Sequence, residues 1–230
     1  MDFRNNFYSS GLGDSLVDET KYPDEIISYL SLEQELVSSL VGRFDVIVEV
    51  GCMNGRYLNW AMRKGKKYLG VDIVERYVKD GQERASRLLP KGSFRVEICD
   101  ATLIHLIPEE KGWISKNNKT LLLFPFNSFG NMSKYELVIN SLFESRYPFV
   151  ICSYLTNKYS TFARQQYYKN CGYSNVKRII DHRGVRFLSD DGLDTVAYEP
   201  KYVEHIFRKK GIEIKTIVFS GIGVAYLGNF

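Results

Sequence analysis

The sequence predicts an α/β fold with a mostly parallel β-sheet, and three observations support that prediction. Short apolar runs alternate with longer amphipathic segments along most of the 230 residues. The run at 120–126 is almost wholly apolar, as expected of a parallel strand buried on both faces. Several of these runs end in an acidic residue or a glycine turn, which is typical of a connection from a strand to a helix.

The stretch 45–55, DVIVEVGCMNG, predicts a strand, a glycine turn and the start of a helix. Glycines at 51 and 55 permit positive φ and bring a ligand close to the main chain. Free N–H groups at the new helix N-terminus favour an anionic group such as a carboxylate. A dinucleotide fingerprint would need G-x-G-x-x-G, but Met53 and Arg56 occupy two of its glycine positions. NAD or FAD is therefore poorly supported as the ligand of this turn.

The order E-x-G-x-x-x-G at Glu49, Gly51 and Gly55 resembles the first motif of the S-adenosylmethionine-dependent methyltransferases of the Rossmann-like class. Two acids, Asp72 and Asp100, and the apolar strand at 120–126 follow in the order in which that family carries its further motifs. Ligands of open α/β sheets bind at the carboxyl ends of the strands, where all four motifs fall. The resemblance covers residues 24–155 well.

The resemblance implies a Rossmann-like three-layer sandwich with a mostly parallel seven-stranded sheet, an antiparallel C-terminal strand and a small insertion. It also implies S-adenosyl-L-methionine as the cofactor. The tight Ser220-Gly221 connection between the runs at 213–219 and 222–227 suits the antiparallel hairpin that would end such a sheet.

The same resemblance implies the residues that hold the cofactor. Asp72 would accept hydrogen bonds from both ribose hydroxyls, and Asp100 would accept one from the adenine amine beside the small Ala101. The N-terminal arm would fold over the cofactor and bring Tyr8 to it. The predicted cofactor-binding residues are Tyr8, Glu49, Gly51, Cys52, Asn54, Gly55, Asp72, Ile73, Asp100, Ala101, Phe126 and Asn127.

The catalytic residues are less clearly indicated. Asn131 stands where many small-molecule members of the family carry a histidine, so the sequence assigns no base there. His182 lies between Asp181 and Arg183 at a turn and is the candidate general base, with an ordinary turn histidine as the alternative. We predict His182, Asn131 and Tyr168 as catalytic residues.

The length suits one domain over residues 1–230 that carries additional segments beyond its core. We expect residues 1–22 to form an N-terminal arm or lid, and residues from about 160 to 198 to form an insertion. We expect this insertion to cap the acceptor pocket, because acceptor specificity must come from outside the shared cofactor core. A stabilising edge elaboration is the alternative.

Composition limits the classes of function. With 44% hydrophobic and 25% charged residues and no apolar run near 20 residues, we expect a soluble cytoplasmic protein with no membrane partner. Four cysteines without C-x-x-C spacing argue against a structural metal site, so no metal is expected. A net charge of +4, with basic clusters at predicted helix ends, argues against nucleic acid as a partner.

The sequence thus predicts methyl transfer to a small-molecule acceptor, on oxygen or nitrogen, in secondary metabolite biosynthesis. A nucleic-acid or protein methyltransferase and a cyclase that merely holds the cofactor are the alternatives. A homodimer is one option for an oligomeric state that the sequence leaves open.

Overall fold

Two β-sheets organise the chain, for which a computed structural model describes residues 7–88, 92–107 and 119–229. In this part of the chain the strands are β1 (Val46–Val50), β2 (Lys67–Asp72), β3 (Phe94–Ile98), β4 (Thr120–Phe124), β5 (Phe149–Tyr154), β6 (Lys177–Asp181), β7 (Gly184–Leu188), β8 (Asp194–Tyr198), β9 (Ile214–Phe219) and β10 (Gly223–Gly228).

The larger sheet has seven strands in the order β3-β2-β1-β4-β5-β10-β9. The first five strands of this order pair in parallel, whereas β10 is antiparallel to both of its neighbours. Ser220 and Gly221 have φ values of 56° and 71°, which fit the tight turn that joins β9 to β10. The predicted mostly parallel sheet with a reversed C-terminal strand is therefore confirmed.

Helices cover both faces of this sheet. They are α1 (Asp24–Leu40), α2 (Leu58–Arg63), α3 (Glu75–Ser86), α4 (Tyr135–Ser145), α5 (Lys158–Asn170) and α6 (Pro200–Arg208). Because successive strand residues point to opposite faces, Val46 and Val48 pack in a cluster with residues of α4 and α6, while Ile47 packs with residues of α1, α2 and α3. The result is a three-layer arrangement with the strand ends left open to a ligand.

The second sheet, β6-β7-β8, is antiparallel and lies between α5 and α6 in the chain. The insertion was expected at about 160–198, and its helix begins slightly earlier than predicted, at Lys158. A third hydrophobic cluster joins this sheet and α5 to the N-terminal arm, through Phe7, Leu16, Tyr167 and Phe187. The arm and the insertion therefore pack against each other at one end of the main sheet.

Three predicted segments extend outside the described residues. They are the start of the arm at 1–6, the end of a helix that the sequence predicts over 76–89 before Pro90, and the end of a crossing segment of undefined form that it predicts over 104–113. Within the described part of the chain, no helix has both the length and the apolar character needed to span a membrane.

Candidate active site

A cavity of about 530 Å³ opens at the carboxyl ends of β1, β2, β4 and β5. Its volume lies in the range of small-molecule and cofactor sites. Leu16, Val17 and Glu19 of the N-terminal arm form part of its wall, and Leu193 and Thr195 of the insertion form another part. The cavity is thus bounded by the sheet ends, the arm and the insertion.

The glycine turn after β1 forms one side of the cavity. Gly51 has a φ of 71°, and its N–H donates to the Val71 carbonyl at 2.9 Å, which ties the turn to β2. Met53 also has a left-handed φ, 47°, at the position where a dinucleotide fingerprint would have glycine. The Met53 N–H donates to Oδ2 of Asp72 at 2.8 Å, which holds the backbone in this conformation.

Asp72 ends β2 and faces the cavity with only 7% of its surface exposed. Besides the bond from Met53, its Oδ1 accepts from the N–H of Val74 at 3.0 Å. Burial raises the pKa of Asp72, and the backbone N–H groups of Val74, Met53 and Ile73 partly oppose that shift. A carboxylate offers about four lone-pair positions, so this one can accept two further bonds from a diol in the cavity.

The turn after β3 brings a second acid to the cavity. Oδ1 of Asp100 accepts from the Thr102 N–H at 2.9 Å and caps the short 3-10 helix Ala101–Leu106. Asp100 and Ala101 line the cavity together with Tyr8 of the arm and Ile73. The lining thus contains a carboxylate, a small residue and flat or apolar side chains, which are the residue types that a purine site requires.

The exit of β4 has an unusual backbone. Phe126 and Asn127 both adopt left-handed φ, 48° and 60°, although neither is glycine. The Phe126 N–H donates to Oε2 of Glu33 at 2.8 Å, and Oε1 of that carboxylate accepts from the Tyr57 hydroxyl at 3.0 Å. Glu33 is buried, and burial raises its pKa. A carboxylate from α1 therefore stabilises the strained turn.

Asn127 connects this turn to the insertion. Its Nδ2 donates to Thr195 Oγ1 and to the Val196 carbonyl, both at 3.1 Å, while its Oδ1 accepts from the Ser153 hydroxyl at 2.6 Å. The amide lines the cavity, but its hydrogen bonds are made with the protein. Its role is to fix β8 against the ends of β4 and β5.

Arg56 places a positive charge in the cavity wall. Its guanidinium carbon lies 4.6 Å from the centre of the Phe126 ring. Burial has the largest single effect and disfavours the charge, but the Glu33 carboxylate and the hydroxyls of Tyr22 and Tyr57 together outweigh it, so the pKa of Arg56 is raised. The residue immediately follows the glycine turn, where main-chain N–H groups also favour an anion.

An aromatic part of the wall comes from β5, α5 and the β4 exit, through Tyr154, Tyr167, Tyr168 and Phe126. Several polar atoms in the lining are buried and have no hydrogen-bond partner in the described chain: Tyr154 Oη, Ser128 Oγ and Asn131 Oδ1. Buried polar groups normally find partners, so these atoms are available to a ligand.

Most of the predicted site residues meet in this cavity. Those that line it are Tyr8, Gly51, Cys52, Asn54, Asp72, Ile73, Asp100, Ala101, Phe126, Asn127, Asn131 and Tyr168. Gly55 does not; it is buried with a φ of 85° and only shapes the turn.

The structure also does not bring His182 to the cavity. It is exposed at the tip of the β6–β7 hairpin, where its ring lies 6.1 Å from that of Tyr202. All three histidines of the chain lie in the described residues, and none lines the cavity. The geometry therefore gives no support to a histidine base.

Glu49 is a further predicted cofactor residue that does not line the cavity. It is fully buried, and its Oε2 accepts from the Tyr57 N–H at 3.0 Å and from the Tyr68 hydroxyl. These bonds tie the start of α2 to β1 and β2. Burial raises the pKa of Glu49 to about 7, although both donors act against the shift.

This raised pKa predicts a pH-dependent stability. The folded protein binds the Glu49 proton more tightly than the unfolded chain does, so the contribution of Glu49 to stability is fully present below the unfolded pKa near 4.5 and is lost as pH rises to about 7. The loss is about 3 kcal/mol. We expect Glu49→Gln to remove this part of the pH dependence in thermal melts from pH 4.5 to 8.

Glu83→Gln, which changes an exposed acid on α3, is the matched control and should keep the wild-type profile. A Glu49→Gln profile parallel to that of the wild type would contradict the assignment.

Several lining residues were not predicted from the sequence. Tyr154 stands at the carboxyl end of β5, which the sequence predicts as an apolar strand over 147–155, so the strand-end rule applied to that strand would have found it. Arg56 follows directly on the glycine motif, and its charge was a usable signal. Glu19, Leu193 and Thr195 carry no local signal, because only the tertiary packing brings them to the cavity.

Comparisons of sequence find no family model and no curated protein that matches the chain. Comparison of structures finds extensive similarity. Magnesium protoporphyrin IX methyltransferase from Synechocystis, with bound S-adenosylhomocysteine, has a TM-score of 0.61 at 12% identity over 97% of this chain and 96% of its own.

Two further solved structures show the same fold. The 1,6-didemethyltoxoflavin-N1-methyltransferase of Burkholderia thailandensis has a TM-score of 0.60 at 13% identity, over 98% of this chain and 85% of its own. A SAM-dependent methyltransferase from Aquifex aeolicus has a TM-score of 0.55 at 14% identity, over 87% and 90%. The chain therefore has the fold of the Rossmann-like S-adenosylmethionine-dependent methyltransferases.

Proposed function

We propose that this protein is an enzyme that transfers a methyl group from S-adenosyl-L-methionine to a small-molecule acceptor, on oxygen or nitrogen. The observation that carries the proposal is the placement of Asp72 and Asp100 after neighbouring strands, both facing one cavity beside the glycine turn. The structural neighbours with bound S-adenosylhomocysteine support the same conclusion.

The residues present fit the cofactor. Asp72 has lone pairs left for the two ribose hydroxyls, and Asp100 and Ala101 offer an adenine site next to Ile73. The methionine end would lie between the Gly51 turn and the exit of β4, where Ser128 Oγ and Asn131 Oδ1 lack partners. When bound, the cofactor supplies a methyl group on a positively charged sulfur.

The remaining part of the cavity would hold the acceptor. Tyr154, Tyr167 and Tyr168 give it an aromatic wall, and Leu193 and Thr195 of the insertion close one side. This placement favours the insertion as a cap and supports a small acceptor over a polymer. The chain's own contribution is to exclude water and hold the acceptor at attack distance from the methyl group.

As part of the same proposal, Tyr168 and Asn131 contact the acceptor, and the acceptor belongs to secondary metabolism. We also place the enzyme in the cytoplasm. All four cysteines are free, which suits a reducing compartment.

Calorimetric titration of S-adenosylmethionine, S-adenosylhomocysteine and NAD into the protein tests the proposal. We expect micromolar affinity for the first two and none for NAD, because Met53 and Arg56 replace glycines of a pyrophosphate-binding turn. No binding of either sulfur compound, or a preference for NAD, would overturn the proposal.

A further inference from the structure

Arg164 on α5 is a fully buried cation with no acidic partner. Its exposed fraction is 0%, and among the described residues no carboxylate forms an ion pair with it. Nη1 donates to the Val185 carbonyl at 3.1 Å, whereas Nη2 is buried without any hydrogen-bond partner. Burying an uncompensated charge costs several kcal/mol. A counter-charge from outside the chain would remove much of that cost.

Three aromatic rings surround the guanidinium. Its central carbon lies 5.1 Å from the ring centre of Tyr154, 5.8 Å from that of Tyr168 and 4.9 Å from that of Phe187. Cation–π attraction offsets part of the desolvation cost but leaves the charge unneutralised.

Two of these rings separate Arg164 from the cavity, since both Tyr154 and Tyr168 line it. The Tyr168 hydroxyl accepts from Arg164 Nε at 3.3 Å, so its own hydrogen remains available for donation. The Tyr154 hydroxyl has no partner in the described chain. Burial raises the pKa of Tyr154 well above its usual value, so this hydroxyl remains a donor.

The other charges at this end of the cavity do not compensate Arg164. Glu33 lies close to Arg56, and the two charges compensate each other. Glu19 of the arm also lines the cavity, but it is exposed to solvent, which screens its charge. Arg164 then remains as one unmatched positive charge behind two hydroxyl donors. Such an arrangement is complementary to a single anionic oxygen.

We propose that the acceptor enters the cavity as a small aromatic anion whose charged oxygen binds the hydroxyls of Tyr154 and Tyr168, with Arg164 behind them as the counter-charge. The inference rests on the proposed function and narrows its acceptor class. Tyr154 and Tyr168 contact the acceptor, and Arg164 is a positioning residue that acts through them.

An anionic acceptor also accounts for the absence of histidine from the cavity lining. The acceptor oxygen has already lost its proton, so it forms the new bond to the methyl carbon with its own electron pair. The electron pair of the broken carbon–sulfur bond stays on sulfur, and no proton has to be removed by the protein. A general base is therefore unnecessary at this site.

A pair of chromophoric probes tests the proposal. 4-Nitrophenol is titrated into the protein with S-adenosylhomocysteine present, at a pH at which the free probe is ionised, and its neutral methyl ether 4-nitroanisole is titrated in parallel. We expect the phenolate to bind at least tenfold more tightly than the ether. Absorbance should also show a lower pKa for the bound phenol than for the free phenol.

Variants of Arg164 separate a charge effect from a packing effect. Arg164→Met should abolish the preference for the phenolate, and Arg164→Lys should retain part of it. Because the variant removes an unpaired buried charge, Arg164→Met should melt no lower than the wild type. A lower melting temperature together with an unchanged phenolate preference would show that Arg164 only links α5 to β7, and would overturn the proposal.

Tyr154→Phe provides a second test that does not alter packing. It should weaken phenolate binding about tenfold and leave ether binding unchanged. Tyr226→Phe removes another buried hydroxyl without a partner, outside the cavity lining, and should change neither affinity.

Equal affinity for the two probes in the wild type, or no binding of either, overturns the proposal. Binding of S-adenosylhomocysteine in the same titrations shows whether the proposed function fails as well. If S-adenosylhomocysteine does not bind but the wild type shows a phenolate preference that Arg164→Met abolishes, the anion site is supported without the proposed function. If S-adenosylhomocysteine does not bind and no phenolate preference is found, both proposals are rejected.

Discussion

Asp72→Ala is expected to weaken S-adenosylhomocysteine binding by at least 100-fold. The carboxylate is buried at the cavity wall, where two ribose hydroxyls would donate to an ionised acceptor. Hydrogen bonds to charged groups contribute about 1.5–3 kcal/mol each, and 1.4 kcal/mol corresponds to a tenfold change in affinity. Calorimetry on wild type and variant measures the difference directly.

The substitution also removes the acceptor for the N–H groups of Met53 and Val74, so the glycine turn loses support. Binding must therefore be measured at a temperature at which circular dichroism shows both proteins folded. Asp80→Ala removes an exposed acid from α3 and is the matched control, with wild-type affinity expected. An Asp72→Ala affinity within threefold of the wild type would reject the ribose assignment.

Gly130→Ala is expected to destabilise the fold by about 3–5 kcal/mol. A Cβ at this position would stand 2.0 Å from the Val196 carbonyl oxygen and 2.5 Å from Asn127 Nδ2. Overpacking alone costs about 1–3 kcal/mol, and each buried hydrogen bond that breaks adds about 1–3 kcal/mol. The new methyl group would push β8 from the β4 exit and break the bond between Asn127 and Val196.

Thermal melting measures this effect, and a decrease of about 10 °C is expected for a chain of this length. Gly42→Ala is the matched control, because no atom lies within 4 Å of the Cβ that it would add. That variant should melt at or slightly above the wild-type temperature. Equal melting temperatures for the two variants would show that the β4 exit adapts without cost.

The parts of the fold that depend on local patterns were predictable from the sequence. Apolar runs gave the strands from β1 to β5, and the acids at their ends placed Asp72 and Asp100 at the cavity. The Ser220-Gly221 turn was predicted because a short connection that contains glycine suits a hairpin, and both residues have the positive φ that such a turn requires. These features depend on residues that are neighbours in the chain.

Other features depend on contacts between distant segments. The bond from the Phe126 N–H to Glu33 joins residues 93 positions apart, so no local pattern reveals why non-glycine residues tolerate left-handed φ there. His182 was selected for its residue type and flanking charges, but the hairpin points it away from the cavity.

The anchoring of the β4 exit also constrains the order of assembly during synthesis. The glycine turn, Asp72 and Asp100 all emerge from the ribosome within the first 100 residues, whereas Asn127 needs Thr195 and Val196 as partners. β5 acquires its second neighbour, β10, only when residues 223–228 have been made. The cofactor side can therefore take shape on a nascent chain before the proposed acceptor side, and a chain that stops before Thr195 cannot form the proposed acceptor site.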